Sequence, residues 1–308
     1  MIMIPSSKYI LAMSADAEPA AVVPQGETVV FDAADCFSDT LTGPDTLFSS
    51  VGWDKVDPAV GPVFVEGAEP GDVLKVEILG IELADHGVIA TCPGFGAMPG
   101  TVEEKTKVVP IIDKDGGKCC VYDWEREDGT AWHMELPVRP MIGVIGVAPL
   151  GEPISVGTPG DHGGNMDVTR IGAGTTLYLP VNVPGALFST GDVHAMMGDG
   201  EVCVCGVETH AKISVRFSVL KGEAMPLPFL AAGDEFMVIC SRETLDEAAS
   251  DATKMMQKFI AERLGLKQTE AAMLLSEMGN LRICQIVDPL RTVRMELPMW
   301  LLKECPLP

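Results

Sequence analysis

Two stretches of the chain concentrate side chains that hold ions or move protons. The first, Pro159-Gly-Asp161-His162-Gly163-Gly164-Asn165-Met166-Asp167, sets imidazole, amide and carboxylates in a loop whose glycines allow tight turning. The second is Gly191-Asp192-Val193-His194-Ala195-Met196-Met197-Gly198-Asp199-Gly200-Glu201. If Asp192 to His194 is extended, residues two apart project from one face, so a carboxylate and an imidazole converge. Asp199 and Glu201 have the same spacing, and Glu208 and His210 repeat it shortly after. A hard or borderline divalent cation accepts such O and N ligands, and with three or four of them it keeps a position for a water that becomes a source of hydroxide. Glu208 adds a further ligand or a general base. The chain has 5 histidines, and two of them fall in these loops, which points to one shared polar site. His86 and His133 have no such company and read as ordinary surface histidines.

Taken singly, Asp-x-His is more often a surface turn and Asp-Gly-Glu a hairpin turn; it is their combination that carries the reading. A thiol mechanism has one candidate, Cys92 in Thr91-Cys-Pro-Gly-Phe-Gly96, the only cysteine set in a glycine-rich loop. The serine-hydrolase elbow, the P-loop and the H-E-x-x-H zinc motif are all missing. Gly94, Gly96 and Gly100 form no dinucleotide fingerprint, because no strand-turn-helix pattern frames them.

The elements that must position these residues read as β. Glycine, 32 residues, and proline, 23, punctuate the first three quarters of the 308-residue chain at short intervals, as folds with many turns require. Short β-branched segments predict strands at Thr28 to Phe31, Val63 to Val65, Val73 to Leu79, Val108 to Ile112, Met141 to Val147, Thr176 to Leu179, Val202 to Val207 and Ile213 to Leu220. Apolar Val73, Val76 and Ile78 mixed with Lys75 and Glu77 leave one face toward solvent, which suits antiparallel sheets.

After about residue 241 the texture changes. Leu245, Ala248, Ala252, Met255, Met256, Phe259, Ile260 and Leu264 recur at helical spacing, Thr244-Leu-Asp-Glu247 has capping-box form, and Gly265 suits the position after a helix. A second helix is predicted over Thr269 to Met278, then a strand around Leu281 to Val287. The expected fold is mainly β, with antiparallel sheets packed as a sandwich-like or barrel-like core and a smaller α/β C-terminal portion. Residues 1–240 are expected to form the β-rich catalytic core, and 241–308 an α+β portion packed on it.

Asp and Glu number 44 against 22 Lys and Arg, a formal net charge of -22. Such a surface repels phosphate backbones and anionic bilayers, which argues against nucleic acid and membrane as partners. No run of about 18 apolar residues spans a membrane. The 9 cysteines are odd in number and too sparse for a disulfide scaffold. With no export signal read at the N-terminus, the expected location is the cytoplasm.

Several motifs follow one another in order: Gly61-Pro-Val-Phe-Val-Glu-Gly-Ala-Glu-Pro-Gly-Asp72, Pro93-Gly-Phe-Gly96, Gly163-Gly-Asn-Met-Asp167, Leu177-Tyr-Leu-Pro-Val181, Gly185-Ala186, Gly191-Asp-Val-His194, Gly198-Asp-Gly-Glu201 and Glu208. In this order and spacing, over nearly the whole chain, they resemble the acetamidase/formamidase family of amide hydrolases. The resemblance implies hydrolysis of a small amide such as formamide or acetamide to ammonia and a carboxylate, a largely β fold, and a divalent metal, zinc or calcium. Asn165, Asp167, Asp192, His194, Asp199, Glu201 and Glu208 fall in its motifs, whereas Asp32 to Phe37 matches only loosely. The expected scheme has a metal held by His194, Asp192, Asp167 and His162, with Glu201 or Glu208 moving the proton and Asn165 donating to the oxyanion. The alternatives are a cysteine amidase using Cys92 and a non-catalytic β module that binds a metal or small ligand. A homo-oligomer, dimer or higher, is the expected assembly.

Overall fold

A computed structural model describes residues 1–52 and 54–308. Nine strands form the largest sheet, in the order Ile2–Ile4, Thr28–Ala33, Ala211–Leu220, Val73–Leu83, Thr176–Pro180, Phe229–Ala232, Glu235–Arg242, Arg291–Pro298 and Asn280–Gln285. Its pairings are antiparallel apart from the parallel edge pair formed by Ile2–Ile4 and Thr28–Ala33. A second sheet runs Gly163–Asn165, Met141–Gly146, Phe188–His194, Ala59–Val65 and Tyr9–Ile10, with Ala21–Val23 parallel beside Ala59–Val65.

Alternation along the strands decides what each face covers. Leu230, Met237 and Ile239 point into the large core between the two sheets, while Phe229, Phe236, Val238 and Cys240 point to the opposite face. Across the inner core Phe188 of the second sheet meets Phe31 and Phe217 of the first edge-on, at 5.6 and 4.9 Å between ring centroids. The outer face of the large sheet is covered by α1 (Leu245–Leu264), whose Ala248, Ala252, Met256, Phe259 and Ile260 are buried. Phe259 lies 5.1 Å from Phe229. The helix starts at a capping box between Thr244 and Glu247 and stops at Gly265, which is left-handed at φ 65°. A shorter helix, α2 (Gln268–Met278), follows. The architecture is thus mainly β, a two-sheet sandwich with helices near the C-terminus on one outer face.

Residue 240, the boundary expected between the β-rich core and the C-terminal portion, lies in the strand Glu235–Arg242, and the strands that follow α2 pair in the same nine-stranded sheet. One feature departs from the sequence reading. The strand predicted over Val202 to Val207 is instead a series of turns, with Glu201 and Val204 left-handed at φ 48° and 70°. The β-branched residues there are bent out of extension because this segment carries Glu201 and Glu208 to the same cavity. The strands His86–Thr91, Lys105–Lys114, Gly117–Glu125 and Ala131–Pro137 form a separate sheet. It joins the body through the bridge between Val88 and Glu208.

Candidate active site

Three neighbouring strands of the second sheet bring the two motif loops together. Gly163–Asn165 and Phe188–His194 flank Met141–Gly146, with Val144 paired to Asn165 on one side and to Gly191 on the other. Asp167 and Asp192 therefore approach each other across the middle strand, at Gly143. A Cβ on Gly143 would stand 2.1 Å from Asp192 Oδ2 and 2.6 Å from Asp167 Oδ1, so only glycine leaves room for both carboxylates. The backbones of Asp167, Asp192 and Glu201 are all left-handed, at φ 48°, 52° and 48°. Such angles are uncommon outside glycine and cost of order 1–3 kcal/mol each.

A cavity of about 510 Å³ opens beside this cradle. Asn165, Asp192, His194, Glu201 and Glu208 line it, together with Cys36, Asp57 and Asp288. The His194 ring is fully buried and places Nε2 3.2 Å from Asp192 Oδ1 and 3.0 Å from Glu208 Oε2. The other oxygen of Glu208 accepts the Gly206 backbone N–H at 2.8 Å. His194 Nδ1, both carboxylate oxygens of Asp167 and Oδ1 of Asn165 are buried and make no hydrogen bond.

Six carboxyl groups, five lining the cavity and Asp167 beside it, thus crowd around one imidazole. Burial first, then the negative neighbours, pushes Asp57, Glu201 and Asp288 well above the ordinary carboxylate range. Burial also raises Glu208, against the pull of His194. Burial and Asp192 together lift Asp167 to about 6. Asp192 is the exception: burial opposes its ionisation, but the charge and hydrogen bond of His194 outweigh burial and hold it below the usual value. For His194 burial favours the neutral ring, and Glu208 and Asp192 outweigh it, so the imidazolium is strongly favoured. The Asp288 carboxyl faces that of Asp167, an approach of two acceptors that a shared proton or a cation relieves. Arg291 also lines the cavity, but its guanidinium donates to the Asp288 backbone carbonyl.

These features fit a divalent cation. The ligand atoms of Asp167, His194 and Glu201 lie within 4.8 Å of one another, as do those of Cys36, Asp192 and Glu208. The unpaired buried oxygens of Asp167 and the crowding of carboxylates at Gly143 are conditions that a cation satisfies. The first group, two carboxylates and an imidazole, is the donor set of a borderline cation such as zinc.

The remaining sequence candidates lie elsewhere. His162 lines a different cavity, with Thr158, Asp161 and Leu227. Burial, opposed only by Asp161, lowers its pKa to about 4. Asp199 turns away from Glu201 and forms a two-pronged pair with Arg294, at 2.9 and 2.7 Å, with Thr169 Oγ1 at 2.8 Å. His210 sits between Asp39 and Asp32, at 2.8 and 3.1 Å. His86 pairs with Asp85, and His133 with Asp123, on the surface. Cys92 is packed in an apolar cluster with Phe37, Phe48 and Cys205, and burial raises its thiol pKa, which works against a nucleophile.

Asp57, Asp288 and Cys36 were not singled out by sequence. Asp57-Pro58 and Asp288-Pro289 each adjoin a strand, and an Asp-Pro pair there reads as turn punctuation. Cys36 was in view only within the loosely matching segment. Its thiol is held protonated by burial and by the charge of Glu208, and it donates to Asp57.

Known proteins share this arrangement of chain. The Acetamidase/Formamidase family model matches residues 13–155 and 152–302. The crystal structure of an acetamidase from Bacillus halodurans superposes with a TM-score of 0.92 at 44% identity, covering 99% of this chain and 100% of that one. A predicted acetamidase/formamidase from Thermoanaerobacter tengcongensis gives 0.90 at 42% identity, covering 98% and 97% of the two chains. The formamidase of Methylophilus methylotrophus is 26% identical over 207 residues, 52% of this chain and 51% of that protein. The chain spans between about half and three fifths of the length of the curated relatives it matches. With a family model matched from residue 13 to 302 and a fold shared end to end with an acetamidase, the chain belongs to the Acetamidase/Formamidase family.

Proposed function

We propose that the chain hydrolyses a primary amide to a carboxylate and ammonia in the cavity around His194. The observation that carries this reading is the set of buried, unpaired polar atoms on Asp167, His194 and Asn165, clustered with Glu201 and Glu208 at the cavity. Asp167, His194 and Glu201 would hold a divalent cation, zinc or else calcium, with Asp192 beside them; when bound, it polarises a carbonyl and makes water more acidic.

The protein's own groups supply the rest. Asp192 fixes the His194 ring through the 3.2 Å contact, in the manner of a carboxylate orienting a histidine. Glu208 is anchored by the Gly206 N–H and keeps its second oxygen toward His194 and the cavity. It accepts a proton from water as the water oxygen bonds to the amide carbon. It then returns that proton to the nitrogen as the C–N bond breaks, so ammonia leaves in place of an amide anion. The Asn165 side-chain amide donates to the oxygen that gains charge in between. Asp57 and Asp288, in which burial and then the charges of Asp192 and Asp167 favour the protonated form, are placed to add hydrogen-bond donors there. His162 has no part in this scheme, because it faces another cavity. All nine cysteines are free thiols, which supports placement in a reducing cytoplasm.

The test is ammonia release from formamide, acetamide and propionamide by metal-analysed protein, before and after chelation and after zinc is added back. Activity is expected to disappear with the metal and return with zinc, and His194→Ala is expected to abolish both turnover and metal content. Full turnover by His194→Ala with metal content unchanged would sink the scheme. Activity indifferent to verified metal removal would move the chemistry to a thiol.

A further inference from the structure

Acetamide has four non-hydrogen atoms. At the share of volume a water occupies in the liquid, about 30 Å³ per heavy atom, it fills about 120 Å³. The cavity holds about 510 Å³, roughly four times that, and lies in the range of pockets that enclose ligands of drug size. Much of the wall away from the acidic group is apolar: Phe48, Val56, Phe95, Val204, Val287 and Pro289 line it, with Ser155, Thr158 and Arg291 as the polar side chains among them.

This wall is built by motifs that the hydrolytic chemistry leaves unused. Phe95 belongs to the Pro93-Gly-Phe-Gly96 turn. That turn is closed by Phe95 N–H to the Cys92 carbonyl at 3.1 Å and docked by Ala97 N–H to the Val202 carbonyl at 2.9 Å. Gly96, at φ 78°, allows the docking, since a Cβ there would stand 2.7 Å from the same carbonyl. The ring of Phe95 rests against Phe48 at 5.8 Å, and Phe48 in turn against Phe37 at 5.5 Å, so the wall is braced from behind. Val204 is left-handed at φ 70°, a conformation that a β-branched side chain rarely adopts. It is nevertheless held there, with its N–H on the Glu201 carbonyl at 2.9 Å.

We propose that this cavity selects a primary amide with a bulky apolar acyl group, of about the size of phenylacetyl, and that Phe95 and Val204 are specificity-determining residues. The inference rests on the amide-hydrolase reading above and adds the substrate class. The carboxamide lies against the acidic group, where ammonia is released, and the acyl group fills the space before Phe95, Phe48 and Val204.

The experiment measures both ammonia release and calorimetric binding with acetamide, isobutyramide and phenylacetamide, using the metal-replete protein and its Phe95→Ala and Val204→Gly variants. Each added methylene in a well-formed apolar pocket is worth about tenfold or more in discrimination. The parent protein is therefore expected to favour phenylacetamide over acetamide by at least about a hundredfold in kcat/KM. Each variant is expected to shrink that ratio at least about tenfold. Val204→Gly relieves a left-handed backbone, so its effect is readable even if Phe95→Ala folds poorly. If acetamide is hydrolysed while phenylacetamide is neither bound more tightly nor turned over faster, the inference falls and amide hydrolysis stands. If phenylacetamide binds with an affinity sensitive to Phe95 but no amide is hydrolysed, the apolar acyl wall stands and amide hydrolysis falls. If neither amide binds or reacts, both fall.

Discussion

The Gly143 cradle is most directly tested by filling it. In Gly143→Ala the new methyl carbon would lie 2.1 Å from Asp192 Oδ2, so that oxygen must retreat about 1.3 Å to reach ordinary contact at 3.4 Å. Neither carboxylate yields easily: Asp167 and Asp192 are buried, and both are committed to left-handed backbone conformations. Gly143 is not itself left-handed, so alanine meets no backbone penalty and even gains roughly 0.5–1 kcal/mol from a less flexible unfolded chain. Overpacking a close-packed site costs about 1–3 kcal/mol. The net loss of stability is then at most about 2.5 kcal/mol, and a domain with the usual 5–15 kcal/mol stays folded. Activity should suffer far more, because a displacement of about 1 Å in a catalytic constellation costs on the order of a hundredfold. Urea unfolding and initial rates of ammonia release, measured on the same preparation, separate the two effects. A variant that keeps its rate within about twofold of the parent would refute the claim that Asp167 and Asp192 must meet at this glycine.

Two further perturbations probe other parts of the molecule. Cys92→Ala should leave ammonia release unchanged and cost about 1 kcal/mol of stability, since Cys92 is packed among apolar neighbours and does not itself line the cavity; loss of turnover in a folded Cys92→Ala protein would revive the thiol mechanism. His210 is raised to about 9 by the hydrogen bonds it donates to Asp39 and Asp32, with burial opposing. A raised imidazole pKa stabilises the fold fully below its unfolded value of about 6.5, and that contribution is lost as pH climbs through about 9. Partial exposure and screening limit it to about 1 kcal/mol. His210→Ala should therefore lower the urea midpoint at pH 6 and match the parent by pH 10. An equal gap at both values would mean that the ion pairs contribute nothing.

Much of the fold was legible because its signals are local. The capping box at Thr244, the helical spacing up to Leu264 and Gly265 describe α1 almost to the residue. The strand at Thr176 and the long strand ending at Leu220 were also marked by their β-branched runs. The motif loops were legible as chemistry for the same reason, since Asp192 and His194 lie two residues apart and do meet. The route differs from the simple alternation argument, because Asp192 is left-handed. Nothing local reveals that Asp199 is drawn off by Arg294, 95 residues away in sequence. The same holds for Asp57 and Asp288, whose Asp-Pro pairs look like punctuation until the sheets bring them together. His162 shares a glycine loop with Asn165, yet the turn at Gly163 and Gly164 sends the two side chains to different cavities, which no local signal announces. Val202 to Val207 departs from its β-branched signal because β-branched residues speak for a strand only where the placement of neighbouring side chains, here Glu201 and Glu208 at one cavity, does not override them.

The attachment of the Glu201 loop ties the site to a distant stretch of the chain. Gly200 donates its N–H to the Cys284 carbonyl and accepts from the Ile286 N–H, while Arg294 grips Asp199. Asp288 itself lies on the connection between Asn280–Gln285 and Arg291–Pro298. The placement of Glu201 therefore depends on the pairing of those two strands, so a substitution that loosens this hairpin reaches the cavity without touching any residue that lines it.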